Sequence, residues 1–104
     1  MRIIKIKHLR DFWTLHPTAG PSLRQWIVEC RRAQWKSFAD VKAYARSADW
    51  VGNGRVVFNV CGNRFRLIVA VGFRTGIVLV KFIGTHAEYV KKVDVATVEI
   101  GDAK

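Results

Sequence analysis

Residues 55–71 read RVVFNVCGNRFRLIVAV, and this stretch decides the fold. Its two halves are rich in β-branched and aromatic residues, which predicts a strand over Arg55–Val60 and a return strand over Arg64–Phe73. Between them, Cys61-Gly62-Asn63 predicts a three-residue hairpin loop. Side chains of a strand alternate between its two faces. On the return strand we expect one face to carry Arg64, Arg66 and Ile68, and the other Phe65, Leu67 and Val69.

The predicted sheet extends on both sides of this hairpin. Gly52-Asn53-Gly54 predicts the turn before it, Arg74-Thr75-Gly76 predicts the turn after it, and Ile77–Ile83 predicts a third strand. Residues 2–6 predict a short strand at the start of the chain. Because the strands of this antiparallel meander are rather apolar, we expect helices to cover one of its faces.

Helical patterns occupy the region before the meander. The Leu23, Trp26, Ile27 and Cys30 side chains recur at the spacing of an amphipathic helix. Proline disfavours a helical residue before it, and serine favours the residue that begins a helix. The predicted elements are a helix over His8–Leu15, a loop over Pro17–Pro21, a helix capped by Ser22 that runs to about Trp35, and a helix capped by Ser37 that runs to about Ala45.

The C-terminal part adds one helix. Thr85-His86-Ala87-Glu88 has the form of a capping box, which predicts a short helix after the third strand. The tail over Val95–Ile100 predicts either an edge strand or a loose end. Helices that precede a meander indicate an α+β fold. We therefore expect a single domain over residues 1–104, with N-terminal helices packed on a small antiparallel sheet and a short C-terminal helix.

Composition narrows the class of protein. Half of the 104 residues are hydrophobic, so a core can form. No apolar stretch approaches the roughly 20 residues of a membrane span, and the start of the chain lacks the apolar run of a signal peptide, which predicts a cytoplasmic protein. The two cysteines, Cys30 and Cys61, show no metal-ligand spacing and are expected as buried free thiols. We predict no cofactor and no metal site.

The net charge of +10 predicts a polyanionic partner. In the middle of apolar strands, Arg66 and Lys81 are costly to bury unless a carboxylate, an anionic ligand or water meets them. Together with Arg64 they indicate a phosphate-binding surface, although exposed cations at a solvated sheet face would show the same pattern.

His86 and Tyr89 follow the third strand and are expected near those cations. Histidine exchanges protons close to neutral pH, and the start of a helix favours anions. RNA carries its own nucleophile, the 2′-hydroxyl group, so a metal-independent ribonuclease needs a base, a proton donor and cations on the phosphate. Arginine, lysine, histidine and tyrosine are the required residue types. Tyr89 has the alternative role of stacking on a base.

The hairpin of residues 55–71, followed by VKFIGTHAEY over residues 80–89, closely resembles the HigB-type toxins of the RelE/ParE superfamily. The most specific pieces are Asn-x-x-Arg at Asn63–Arg66 and Thr-His-x-Glu-Tyr at Thr85–Tyr89. Upstream stretches such as Leu9–Trp13 are also similar to this family, and the resemblance spans nearly all of residues 1–98.

The resemblance implies a compact toxin of a bacterial toxin–antitoxin system that cleaves messenger RNA, commonly on the translating ribosome. It also implies a cognate helix-turn-helix antitoxin of the HigA type, bound in a hetero-oligomeric complex. By position, the resemblance assigns the catalytic set Arg64, Arg66, Lys81, His86 and Tyr89. Residues expected to support the hairpin or to bind RNA are Asn59, Asn63, Arg55 and Lys36.

One position departs from the family pattern. The family usually continues His-Ala-Glu-Tyr with Asp, whereas this chain has Val90. The departure puts full catalytic competence in doubt and leaves two alternatives to a ribonuclease. One is a non-catalytic basic module that binds RNA, the ribosome or a protein. The other is a gyrase inhibitor like the ParE branch, against which the His86–Tyr89 pair and the strand arginines argue.

Overall fold

The computed structural model describes residues 1–92 of the chain, and the predicted edge strand at Val95–Ile100 lies outside them. In the described part a short strand, the helices, the meander and a last helix follow one another as the sequence patterns predict, with one additional strand. In chain order the elements are β1 (Arg2–Ile4), α1 (Ile6–Leu15), a 3₁₀ turn (Pro17–Ala19), α2 (Gly20–Arg32), α3 (Phe38–Tyr44), β2 (Asp49–Gly52), β3 (Arg55–Val60), β4 (Phe65–Gly72), β5 (Ile77–Thr85) and α4 (His86–Lys92).

The strands form one sheet in the order β1-β5-β4-β3-β2. Strands β2 to β5 make the antiparallel meander, so the predicted α+β fold is confirmed. At the edge, however, β1 lies parallel to β5, with Arg2 opposite Ile77. The sheet is therefore mixed rather than wholly antiparallel. A parallel neighbour needs a long connection, which the intervening helices and meander supply.

Strand β2 is an addition to the prediction. The sequence pattern predicts only a turn at Gly52-Asn53-Gly54, whereas Asp49–Gly52 pairs with β3 across that turn. The backbone of Asn53 and Gly54 has φ angles of 52° and 67°. Asparagine and glycine tolerate this left-handed region, which lets the two strands join in a tight hairpin.

Several helix boundaries differ from the predicted ones. Residues 17–19 form a 3₁₀ turn rather than a loop, and α2 begins at Gly20 with Pro21 in its first turn, where a missing N–H costs nothing. The same helix ends at Arg32, before Trp35. The chain leaves β1 at Lys5, whose φ angle of 72° interrupts the extended backbone before α1 begins.

Helices α1, α2 and α3 cover one face of the sheet and close the main core against it. From the helices, the fully buried side chains include Leu9, Leu23 and Cys30. Sheet residues in the same cluster include Val56, Phe58, Phe65, Leu67, Val69, Val78 and Val80. The predicted alternation along β4 is confirmed for Phe65, Leu67 and Val69, whereas Arg66 and Ile68 lie outside this cluster. The core thus fixes which face of the sheet Arg66 occupies.

None of the helices within residues 1–92 is both long enough and apolar enough to cross a lipid bilayer.

Candidate active site

The β3–β4 hairpin forms one end of the site. Its loop is closed by a hydrogen bond from the Arg64 amide to the Cys61 carbonyl (3.3 Å), and both Cys61 and Gly62 adopt positive φ angles. Strand β4 begins at Phe65, so Arg64 belongs to the loop and is exposed. The predicted alternation therefore does not apply to Arg64. Its side chain leaves from a loop rather than from the strand face.

Arg66 lies at the centre of the site. It pairs with Asn59 of β3 on one side and with Gly84 of β5 on the other, so its backbone lies between two neighbouring strands. Its Nη1 atom donates hydrogen bonds to the carbonyls of Asn63 and Phe65, both at 3.1 Å. A guanidinium group has five N–H donors. These two bonds orient the half-buried side chain and leave donors of the guanidinium group available for a ligand.

Tyr89 packs against this guanidinium group. The Arg66 Cζ atom lies 5.8 Å from the centre of the Tyr89 ring, which is within the range of a cation–π contact. Tyr89 itself is half-buried on α4. The contact joins the arginine of β4 to α4, the helix that follows β5.

The start of α4 is tied to the hairpin. The Thr85 amide donates to Glu88 Oε1 (2.8 Å), and the Glu88 amide donates to Thr85 Oγ1 (3.2 Å), which confirms the predicted capping box. The His86 amide donates to the Arg64 carbonyl at 2.9 Å. This bond places the exposed His86 beside Arg64, although the two residues lie in different elements.

Lys81 is the additional residue of a β-bulge. Val80 pairs with Val69 and Phe82 with Ile68, so the β4–β5 register shifts at Lys81. A bulge redirects the side chain of its extra residue and sharpens the local twist. Lys81 is half-buried and contacts another residue of the fold. It lies about 10 Å along β5 from Gly84, the residue opposite Arg66.

Two of the expected RNA-binding residues are not brought to this end of the sheet. Arg55 is only 5% exposed and pairs with Ala70, about 13 Å along β4 from Arg66. Lys36 lies between α2 and α3, in a groove shared with Arg74 at the opposite end of the sheet. Asn59 and Asn63, in contrast, flank Arg66, the latter through its backbone carbonyl.

A second histidine, His16, reaches the hairpin from the helical layer. Its ring stacks on Phe12 at 4.4 Å between ring centres and lies 5.8 Å from the ring of Phe65. From the sequence, His16 is expected only as the residue that ends a helix. No local spacing relates it to β4, because the contact depends on how α1 packs on the sheet.

Within residues 1–92, no three His, Cys, Asp or Glu side chains are grouped so that they could hold a metal ion. The carboxylate nearest to the described site residues along the chain is Glu88, and its Oε1 atom is bonded to the Thr85 amide. The side chains gathered around the hairpin are therefore mainly cationic or neutral donors.

This small, basic α+β domain thus places arginines, a histidine and a tyrosine at one end of its sheet. The chain belongs to the HigB toxin family, the RelE-like toxic component of a toxin–antitoxin system, whose family model matches residues 19–92. The match runs from the turn before α2 through α4 and includes every predicted catalytic residue. Membership of the family implies an antitoxin as its partner. No match was found among curated proteins.

Proposed function

We propose that this toxin is a metal-independent endoribonuclease that cleaves messenger RNA. The observation that carries the proposal is the junction of the hairpin with α4. There the His86 amide is bonded to the Arg64 carbonyl, and Tyr89 packs on Arg66. The backbone bond brings His86 next to Arg64, and the cation–π contact holds Tyr89 on Arg66, so a loop, a strand and a helix contribute the residue types that an RNA-cleaving site requires.

The proposed reaction uses the 2′-hydroxyl group of RNA as the nucleophile. A base removes its proton, the 2′-oxygen attacks the adjacent phosphorus, and the bond from phosphorus to the 5′-oxygen breaks. A general acid protonates the departing 5′-oxygen, which leaves a 2′,3′-cyclic phosphate and a 5′-hydroxyl end. Positioned acid–base groups contribute about 10² to 10⁴-fold to the rate of such reactions.

We propose that the negative charge of the phosphate is bound by Arg64, Arg66 and Lys81. The guanidinium of Arg66 is oriented by two carbonyls and has further donors to offer, so it is suited to the non-bridging phosphate oxygens. Charge stabilisation of this kind acts most strongly where donors are held in place before the substrate arrives.

We propose that His86 acts in general acid–base catalysis. Tyr89 would either donate a proton or stack on a nucleobase of the RNA. His86 is exposed at the first position of α4, where a substrate can reach it. The ring of Tyr89 is held against Arg66, which fixes its position for either role. The pH dependence of the cleavage rate in the single variants of His86 and Tyr89 would distinguish the base from the acid.

The proposed setting is the translating ribosome in the cytoplasm. A net charge of +10 favours association with RNA-rich particles, and the toxin family supplies the biological context. We propose that the antitoxin is a helix-turn-helix protein of the HigA type and that it forms a hetero-oligomeric complex with this chain.

The test is induced expression of the wild type, His86→Ala, Arg66→Ala and the control Arg46→Ala, with the 5′ ends of cellular messenger RNA mapped within minutes. We expect new cuts inside reading frames for the wild type and for Arg46→Ala, which changes an exposed arginine outside the site. Both site variants should lose the cuts. If folded His86→Ala and Arg66→Ala proteins remain fully toxic with the same cuts, the site assignment is wrong.

An experiment with purified protein distinguishes the cleavage reaction itself from its dependence on the ribosome. Incubated with a messenger RNA, free or bound to ribosomes, the wild type should generate 2′,3′-cyclic phosphate ends that mass spectrometry detects. Cleavage of the ribosome-bound message alone would support ribosome dependence. Equal cleavage of free RNA would contradict it, while still supporting the ribonuclease.

A second candidate function is a non-catalytic basic module, which is favoured by Val90 in place of the usual Asp. It predicts salt-sensitive RNA binding without any cleavage product. Growth arrest without new cuts, together with inhibited supercoiling by gyrase, would instead favour the ParE-like alternative.

A further inference from the structure

A basic groove lies at the opposite end of the sheet from the hairpin. It has a volume of about 450 Å³ and an apolar floor to which Trp35 and Phe73 contribute. Four basic side chains line it, each from a different part of the fold: Arg2 of β1, Arg31 of α2, Lys36 of the α2–α3 connection and Arg74 of the β4–β5 turn. Among residues 1–92, no acidic side chain lines it.

The four cations of this basic groove are exposed. Within the described part of the chain, no carboxylate lies within salt-bridge distance of any of them. Asp40 is close by, but its Oδ2 atom accepts a hydrogen bond from the backbone amide of Lys36, at 2.7 Å. Tertiary structure therefore concentrates positive charge from separate elements where the described residues offer no neutralising partner.

The basic groove is distinct from the candidate active site. Strand β4 runs from Phe65 at the hairpin to Gly72 beside the groove, a length of about 23 Å. A side chain at one end cannot reach a phosphate held at the other. An anion in the groove would thus be an additional contact rather than a substrate at the cleavage site.

The aromatic residues of the groove offer little open ring surface for stacking on bases. Trp35 is only 5% exposed, and the Phe73 ring already stacks on Trp50, with ring centres 6.2 Å apart. Sites for single-stranded RNA combine cations with open aromatic rings. Base-paired RNA, in contrast, is recognised largely through its phosphates and its shape.

We propose that the basic groove binds the phosphate backbone of base-paired RNA and thereby anchors the toxin while its opposite end meets the message. The nature of the ligand rests on the proposed function, since both sites would contact RNA. Binding and cleavage are nevertheless measured separately, and a failure of one does not imply a failure of the other.

The test measures binding of an RNA duplex by fluorescence anisotropy at salt concentrations from about 50 to 200 mM. All proteins are full-length and carry His86→Ala, so that cleavage does not interfere. Arg31→Gln with Arg74→Gln removes two groove charges, and Arg10→Gln with Arg46→Gln removes two exposed charges elsewhere. Glutamine is preferred to glutamate because a carboxylate in the last turn of α2 would oppose the helix dipole.

We expect the groove variant to bind the duplex more weakly, with the salt dependence of log Kd reduced by about 0.9 for each lost phosphate contact, or about 1.8 for both. The control pair should retain most of the original slope. A single strand of the same length should show a smaller difference between the two variants.

Equal losses in the two pairs would mean a general charge effect and would overturn the proposal. So would a larger loss for the single strand than for the duplex. If the groove variant binds RNA normally but no longer binds the antitoxin, the groove is a protein-docking surface and the proposal is wrong. Thermal unfolding of every variant shows that each one is folded under the binding conditions.

Discussion

The two cysteines show how differently the fold treats the same side chain. Cys30 is fully buried on α2, and this burial raises the pKa of its thiol to about 12, against an ordinary value of 9.0. Cys61 is half-buried in the hairpin loop. Because the thiolate is the reactive species, only Cys61 is positioned to react in the folded protein.

We therefore predict selective alkylation at about pH 8. Iodoacetamide should modify Cys61 in the native protein and leave Cys30 intact, because a pKa shift from 9.0 to about 12 lowers its thiolate fraction by about a thousandfold. Peptide mass spectrometry measures both sites. Cys61→Ser should abolish labelling until denaturant is added, and labelling of native Cys30 at a similar rate would contradict the prediction.

Glu29 on α2 is bound by two neighbours. The Tyr44 hydroxyl donates to Oε1 at 2.7 Å, and Gln25 Nε2 donates to Oε2 at 3.1 Å. These hydrogen bonds, that of Tyr44 first, hold the pKa of Glu29 below its ordinary 4.5. A carboxylate with a lowered pKa in the folded state stabilises the protein above its unfolded pKa, and this stabilisation disappears as the pH falls through the folded pKa.

Tyr44→Phe should accordingly reduce the free energy of unfolding at neutral pH. The difference from the wild type should shrink as the pH falls below 4.5, because protonated Glu29 no longer benefits from the donor. Urea unfolding at a series of pH values measures it, and an NMR titration should show a higher Glu29 pKa in the variant. A difference independent of pH would show that lost packing, rather than the hydrogen bond, is responsible.

At the scale of elements, the junction of β5 with α4 depends on Gly84. A Cβ atom at Gly84 would overlap the Phe82 ring and approach Glu88 Oε1 to 3.0 Å. The same oxygen accepts the Thr85 amide in the capping box. A side chain here would therefore disturb the strand end and the helix start together, directly opposite Arg66, with which Gly84 pairs.

Gly84→Ala should lower the free energy of unfolding by about 1–3 kcal/mol, as overpacking typically does. Combination with Phe82→Leu should recover part of this loss, since the smaller side chain makes room. Denaturant unfolding of both single variants and the double variant measures the coupling. Strictly additive losses would argue against a clash between these two side chains.

At the scale of the whole molecule, α2 packs in the same hydrophobic core as the sheet residues. It contributes Leu23 at 0% exposure to the main core, whereas Leu15, at the end of α1, is 78% exposed. The two leucines have the same chemistry, and only their place in the tertiary structure differs. Their contributions to stability should differ accordingly.

We predict that Leu23→Ala lowers the free energy of unfolding by about 2–5 kcal/mol, because it removes buried apolar surface and leaves a cavity. Leu15→Ala should change it by less than about 0.5 kcal/mol. Chemical denaturation with circular dichroism measures both. Similar losses for the two variants would mean that Leu15 is buried in solution, for example by association of two molecules.

Two groups of basic side chains lie at opposite ends of the molecule. The candidate active site lies at the hairpin end of β4 and the basic groove at the other end. This arrangement would let a single small toxin hold a structured RNA and cut a message at once, a function that neither region could perform alone.

The sequence by itself determined the features that depend on a few neighbouring residues. The apolar runs specified β3, β4 and β5, and Thr85 and Glu88 specified the start of α4. These predictions succeeded because periodicity, loop chemistry and capping act over a few residues. A grouping of the strand cations with His86 and Tyr89 was also predictable, since α4 directly follows β5, the strand that pairs with β4, and the family motifs include both parts.

Only the tertiary structure decided the features that depend on distant partners. It made β1 a parallel neighbour of β5, shifted the register at Lys81, and separated Lys36 and Arg55 from the hairpin. Local patterns indicate that a segment is extended or helical but do not specify its partner. The partner is selected by burial of the whole apolar core, which brings together residues far apart along the chain.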